Sequence, residues 1–283
     1  TYTAQVPPFV NPSIFTNVGS ISNKGVEVQV SAIPVRTKDF TWNTDVVWSQ
    51  QRNKLVSISN EQFRANFLQF GGLPSPGNLG SAIRSVEGLP LGNFYGKRFA
   101  GFDANGKWLF YKHDGKQVPA SQINDSDLVV IGNGVPKMMA SWNSTVSYRN
   151  FDLTLFFRGK FGFDILNTKD MYFGNKAWLP NNLLRSAVTT HNQLNDAPQY
   201  SDYYLEKGDF VKLDNVTLGY NLKPGSRYVR NVRIYATARN LLTFTGYSGI
   251  DPELQDTGLT TGIDDRGFYP RTKSYAIGLN VGF

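Results

Sequence analysis

The last ten residues, Ser274-Tyr275-Ala276-Ile277-Gly278-Leu279-Asn280-Val281-Gly282-Phe283, decide the fold class. Tyr275, Ile277, Leu279, Val281 and Phe283 share one parity, and Ser274, Ala276, Gly278, Asn280 and Gly282 share the other. A period of two sends successive side chains to opposite faces, so the segment reads as a strand with one apolar face and one small or polar face. The pattern recurs upstream. Val232, Ile234, Ala236 and Ala238 alternate with Arg233, Tyr235, Thr237 and Arg239. Phe151, Leu153, Leu155 and Phe157 alternate with Asp152, Thr154, Phe156 and Arg158. Phe40, Trp42, Thr44, Val46 and Trp48 alternate with Thr41, Asn43, Asp45 and Val47, and Val26, Val28 and Val30 with Glu27, Gln29 and Ser31. No stretch of ten or more residues carries a convincing helical period.

Composition narrows the class. The 283 residues are 40% hydrophobic, 14% aromatic and 18% charged. That aromatic load excludes disorder, and the charged fraction is below the roughly 25% of soluble domains. The longest strictly apolar runs, Trp108 to Tyr111 and Leu128 to Ile131, are far short of the about 20 residues that span a bilayer as a helix. With no cysteine, disulfide scaffolds, zinc-thiolate sites and thiol catalysis are excluded. The +7 charge is spread along the chain, so no nucleic-acid partner is expected. Thr1 to Gln5 has neither the basic nor the apolar region of a signal peptide, so none is expected here.

The connections alternate in length. Short links fall at Ile33 to Asp39, Arg149-Asn150 and Lys223 to Tyr228; long ones run from about Gln51 to Pro90, Lys160 to Lys207 and Asn240 to Pro270. A soluble sandwich has no reason to lengthen every second connection, whereas a transmembrane β-barrel has tight periplasmic turns and long outer loops. The expected fold is therefore all-β, an antiparallel transmembrane β-barrel segment. A basic residue facing lipid costs about 2–4 kcal/mol at the bilayer midplane. Arg158, Arg233 and Arg239 are accordingly assigned to the lumen with Asp152, Glu27 and Asp45, and the Val/Leu/Phe stripes to lipid. The same alternation would also fit the buried face of a soluble sheet.

Parity adds an expectation about extent. If short turns are periplasmic, the final strand runs down and the C-terminus is periplasmic. Counting back gives seven strands, or nine if Leu91 to Tyr111 supplies a hairpin broken at Asp103-Ala104-Asn105-Gly106. Single-chain bacterial barrels have even strand counts, so the chain is expected to be the end of a longer barrel.

Several segments then resemble one family. Asn23-Lys24-Gly25-Val26-Glu27 resembles an NKGxE strand start, and Ile131-Gly132 with Pro136 and Tyr148-Arg149-Asn150-Phe151-Asp152-Leu153 resembles an IG-x-P…Y-x-NFDL hairpin. Tyr204 to Tyr220, carrying GDFVKLDNVTLGY, and Arg239 to Glu253, carrying NLLTFTGYSGIDPE, are the specific matches, and Pro270 to Phe283 resembles the closing strand. Together they resemble the C-terminal third of SusC-like (RagA-like) TonB-dependent outer-membrane transporters of the Bacteroidetes type. The resemblance implies residues 1–283 as the C-terminal part of a larger barrel of about 22 strands, with plug domain, TonB box and signal peptide absent from this sequence. It implies active nutrient import of oligosaccharides or peptides across the cell outer membrane, with a SusD-like lipoprotein lid, TonB engaged through the missing N-terminal part, and outer-membrane lipid around the wall. A porin-like barrel and a soluble β-sandwich carbohydrate-binding module are the alternatives.

Chemistry-bearing motifs are sparse, and no enzyme, cofactor or metal is expected. His113 and His191 read as solvated loop residues. Asn124-Asp125-Ser126-Asp127 lacks the Gly and bidentate Glu of a calcium loop and reads as an Asx-rich turn. Asp251-Pro252-Glu253 and Asp264-Asp265 read as loop anchors. The functional signal lies in the aromatics of the long 160–207 loop: Tyr172, Phe173, Trp178, Tyr203 and Tyr204 are candidates for contact with substrate or partner, since aromatics dominate interfaces.

Overall fold

The computed structural model describes residues 2–5, 13–16, 19–59, 64–74, 79–225, 227–254 and 258–283. Its main feature is a seven-stranded antiparallel wall. The strands are β1 (Ser20–Arg36), β2 (Phe40–Ser57), β3 (Met138–Tyr148), β4 (Phe151–Phe161), β5 (Phe210–Leu222), β6 (Asn231–Thr245) and β7 (Ser274–Gly282). Each pairs with the next in chain order, so the wall is a simple meander. A short hairpin, Tyr2–Gln5 with Ser13–Thr16, precedes it.

The register sorts side chains by polarity. Val35, Trp42, Val146, Leu153, Leu218, Ala236 and Ile277 are successive cross-strand partners, an apolar row through all seven strands. One residue along, on the other face, Asn43, Thr145, Thr154, Thr217, Thr237 and Ala276 form a polar row. Its hydroxyls pair across strands, Thr217 with Thr237 at 2.9 Å. The apolar face is open: Val26 is 61% and Ile277 86% exposed. Even there the indoles are satisfied, Trp42 Nε1 donating to Ser144 Oγ at 3.0 Å and Trp142 Nε1 to Thr44 Oγ1 at 2.7 Å. That pairing suits a surface without water, where an orphaned N–H is costly.

The three short connections, Thr37 to Asp39, Arg149-Asn150 and residues 223–230, lie at one end of the wall, and the three long ones, 58–137, 162–209 and 246–273, at the other. The first link is shorter than expected because β1 runs on to Arg36 through a bulge between Ala32 and Val35. Pro34 sits in that bulge, where its missing N–H breaks no regular ladder.

The hairpin expected near Leu91 to Tyr111 exists but adds nothing to the wall, which has seven strands and not nine. Arg98–Phe102 pairs with Trp108–Tyr111 across a turn in which Asp103 Oδ1 accepts from the N–H groups of Asn105 and Lys107, each at 2.8 Å. These strands of four or five residues are too short for a bilayer. Trp108 and Phe110 are instead buried in a separate core. That core is shared by two of the long connections: Ala82, Ile83, Phe94, Trp108 and Phe110 from the first, and Leu166, Met171, Tyr172, Leu194, Tyr200 and Tyr204 from the second. The third closes on it through Ile263 and through Ile263–Asp264, which pairs in parallel with Asp164–Asn167. The long loops thus fold as one unit.

Candidate functional site

The loop unit is pinned to the polar face of the wall by an ionic cluster. Asp214 is the unpaired residue of a bulge in β5, which turns its carboxylate to Arg158 on β4 (Nε–Oδ2 2.9 Å). Arg158 also holds Glu253 with both terminal nitrogens, at 2.5 and 2.9 Å. Fully buried Lys212 binds Asp251 at 2.9 Å and Glu253 at 3.1 Å, and Arg271 adds a contact to Glu253 at 3.1 Å. Three cations thus meet three carboxylates, the balance a buried charge cluster requires. Burial pushes the Glu253 carboxyl up, but Arg158 and Lys212 outweigh it and hold it at about 2. The anchoring role expected of Asp251-Pro252-Glu253 is what the geometry displays.

Arg158, Arg233 and Arg239 share the polar face of the wall. Arg233 is neutralised by Asp152 (2.5 Å), two strands away across Gly219, where a Cβ would come within 2.5 Å of the Asp152 oxygens. Arg239 makes no ion pair among the described residues and lines a groove of about 730 Å³ with Asp214, Thr237 and Ser274.

Above the wall, the second and third long connections enclose a cavity of about 670 Å³. The short helix α1 (Thr168–Phe173), capped by Asn167 accepting from the Asp170 N–H at 3.0 Å, puts Asp170 and Phe173 on its rim. Asp170 accepts from the Ser186 hydroxyl and from His191 Nε2 (2.6 Å), while His191 Nδ1 meets the Tyr203 hydroxyl at 2.6 Å. An ionised Asp170 makes Nε2 the donor, and in the neutral imidazole Nδ1 then accepts from the Tyr203 hydroxyl. Burial raises Asp170, but the bonds from His191 and Ser186 win and hold it below its ordinary value. Burial and the Asp170 charge push the Tyr203 hydroxyl up. Ser186 and His191 both hydrogen-bond to the Asp170 carboxylate, so the imidazole is not the acceptor of the serine hydroxyl and the three do not form a Ser-His-Asp relay. Across the cavity, Glu206 accepts from the Ser248 N–H and hydroxyl, both at 2.7 Å, tying the two connections together.

The five aromatic candidates divide. Tyr203 and Phe173 line this cavity, and half-buried Trp178 packs edge-on against Phe173 at 5.5 Å. Tyr172 and Tyr204 are corrected: at 0% and 2% exposure they lie in the loop core, closed to any external contact. Their rings sit among Met171, Trp108 and Tyr203, so they shape the unit from within. His191 is corrected too, buried at 5% rather than solvated. Period-two reading had no signal for it, nor for Asp170, Ser186 or Glu206, because their meeting depends on how irregular loops close. Asn124 to Asp127 forms a capping box, with Asp125 taken by Arg84 and Asp127 by the His113 and Asn124 N–H groups.

A seven-strand meander with one apolar and one polar face, bearing a folded loop unit at one end, is a segment of barrel wall. No family model matches the chain. Over 94% of its length it is 29% identical to TonB-dependent receptor P3 of Formosa agariphila, and over 96% it is 27% identical to TonB-dependent receptor SusC of Bacteroides thetaiotaomicron. The chain spans 29% and 27% of those two relatives. Among solved structures, the RagAB peptide importer in its closed-closed state superposes with a TM-score of 0.76 at 26% identity, covering 99% of this chain and 32% of that one. The RagAB peptide transporter gives 0.74 at 24% identity, a likeness of fold. Motifs, sequence likeness and fold agree: the chain resembles a segment of the barrel of SusC-like TonB-dependent receptors.

Proposed function

We propose that residues 1–283 are the C-terminal part of the barrel of an outer-membrane, TonB-dependent importer of oligosaccharides or peptides. The observation that carries this reading is the co-folding of three long connections into one unit at one end of a wall with a single apolar face. Passive pores have little need of such a cap, whereas an importer needs an outer surface that meets substrate and lid. The apolar face lies against lipid, the polar face with Arg158, Arg233 and Arg239 lines the lumen, and the short turns and C-terminus are periplasmic. A plug and TonB box in the rest of the protein supply gating, and a SusD-like lipoprotein covers the loop unit. Phe173, Trp178 and Tyr203 are the contact aromatics of that unit, with Tyr172 and Tyr204 as its internal support.

The test is uptake by intact cells of oligosaccharide and peptide pools, with and without the gene, before and after a protonophore. Import that requires the gene and stops when the proton-motive force collapses is the expected result. Gene-dependent uptake that survives the protonophore would mean a passive pore instead. Recovery of the protein in the aqueous phase without detergent would mean a soluble module.

A further inference from the structure

A second cavity, of about 480 Å³, opens in the loop unit away from the one described above, between the sheet of Ser81–Val86 and Asn93–Gly96 and the 197–200 segment. Two cations reach it, and they differ. Arg84 is spent: its guanidinium lies between the Phe67 and Tyr95 rings, 4.3 and 4.0 Å from their centroids, and forks onto Asp125 at 2.7 and 3.3 Å. Lys97 is not. Its ammonium donates to Gln199 Oε1 and sits 5.2 Å from the centre of the Phe110 ring, and no carboxylate among the described residues pairs with it. The Asp202 carboxylate accepts from the Phe99 N–H at 2.6 Å and makes no ion pair with Lys97. Burial lowers the Lys97 pKa, the signature of an ammonium short of counter-charge.

The position of Lys97 is also fixed. It follows Gly96, where a Cβ would meet the Tyr200 ring at 2.9 Å, and its backbone is bridged to Ser201. Gln69, Ser81 and Gln199 supply neutral hydrogen-bonding groups on the wall of the cavity, and Tyr95 lines it with them. A cavity of this size holds a group of one or two sugar or amino-acid units. Its net charge of one, from Lys97 and Arg84 against Asp125, asks for a single anion.

We propose that this cavity is a binding site for a carboxylate-bearing oligomer, with Lys97 as the charge partner of the carboxylate and Gln199 and Ser81 as its neutral contacts. The proposal deepens the import reading by giving the cargo a charge. It is tested apart from that reading, because binding to purified protein needs no energised membrane.

The experiment is titration calorimetry on the full-length protein in detergent with four probes. Trigalacturonate and tetraglutamate carry the carboxylate on sugar and peptide; trigalactose and tetraglutamine are their uncharged counterparts. One acidic probe is expected to bind about tenfold or more tighter than its counterpart, with Lys97→Met losing that advantage and Lys97→Arg keeping most of it. Binding should also weaken between about 0.1 M and about 1 M salt. Whichever acidic probe binds identifies the carboxylate as sugar or peptide, and either supports the site. If Lys97→Met does not fold, Gln199→Leu, which leaves the ammonium in place but strips its neutral neighbour, should weaken the acidic probe selectively. Equal affinity for acidic and uncharged probes, no binding of either, or an acid preference untouched by every variant that folds would overturn the proposal.

Discussion

Lys212 is a fully buried ammonium beside the β5 bulge, tolerable because Asp251 and Glu253 are brought to it by a segment about forty residues away. Removing Lys212 leaves the buried Asp251 and Glu253 carboxylates short of counter-charge. Lys212→Ala should therefore cost about 3–5 kcal/mol, read as early unfolding of the 246–273 connection by hydrogen exchange while wall amides stay protected. The cluster also predicts a pH response. Glu253 is depressed in the folded protein, from 4.5 to about 2, so the stabilisation is complete above about pH 4.5 and is lost as pH falls through about 2. Hydrogen exchange in residues 246–254 should accelerate across that acidic window, and Glu253→Gln should abolish the response.

At the scale of the strand, function depends on which face a residue occupies. Thr145 and Val146 are neighbours in β3, one in the polar row and one in the apolar row. Val146→Arg should cost about 2–4 kcal/mol in a lipid-embedded wall, whereas Thr145→Arg should cost much less; urea refolding into vesicles checks both. The edge strand shows a related device. Tyr235 of β6 lies across Gly278 of β7, its ring filling the space where a Cβ would come within 2.2 Å. Gly278→Val should expel that ring and loosen β7, seen as faster exchange of the β7 amides with β2 to β4 unchanged.

For the whole molecule, the described residues form two hydrophobic clusters. One gathers Trp108, Tyr172, Tyr200 and Tyr204 among the loops; a second, around Phe163, Phe210, Tyr247 and Leu254, joins loops to wall. Tyr172→Ala should cost about 3–5 kcal/mol locally, as large-to-small core changes do. Proteolysis should then cut within residues 162–209 while the barrel stays resistant to unfolding in detergent. Equal loss of wall and loops would show that the two fold as one cooperative body.

The strands of the wall, the face each side chain takes and the asymmetry of the connections were legible in the sequence, because a strand writes its geometry into every second residue. Arg158, Arg233 and Arg239 could be placed on one face for that reason. The number of wall strands and the fate of the loops were not. The Arg98–Tyr111 hairpin has strand periodicity but belongs to the loop core, since only length and tertiary burial separate a wall strand from a loop strand. His191, Asp170, Ser186 and Tyr203 meet across irregular backbone with no period to betray them. Tyr172 and Tyr203 looked alike as loop aromatics, yet one is sealed in the core and the other lines a cavity. Sequence set the pattern along each strand, where chemistry is local. Tertiary structure decided the loops, where burial depends on residues far apart in the chain.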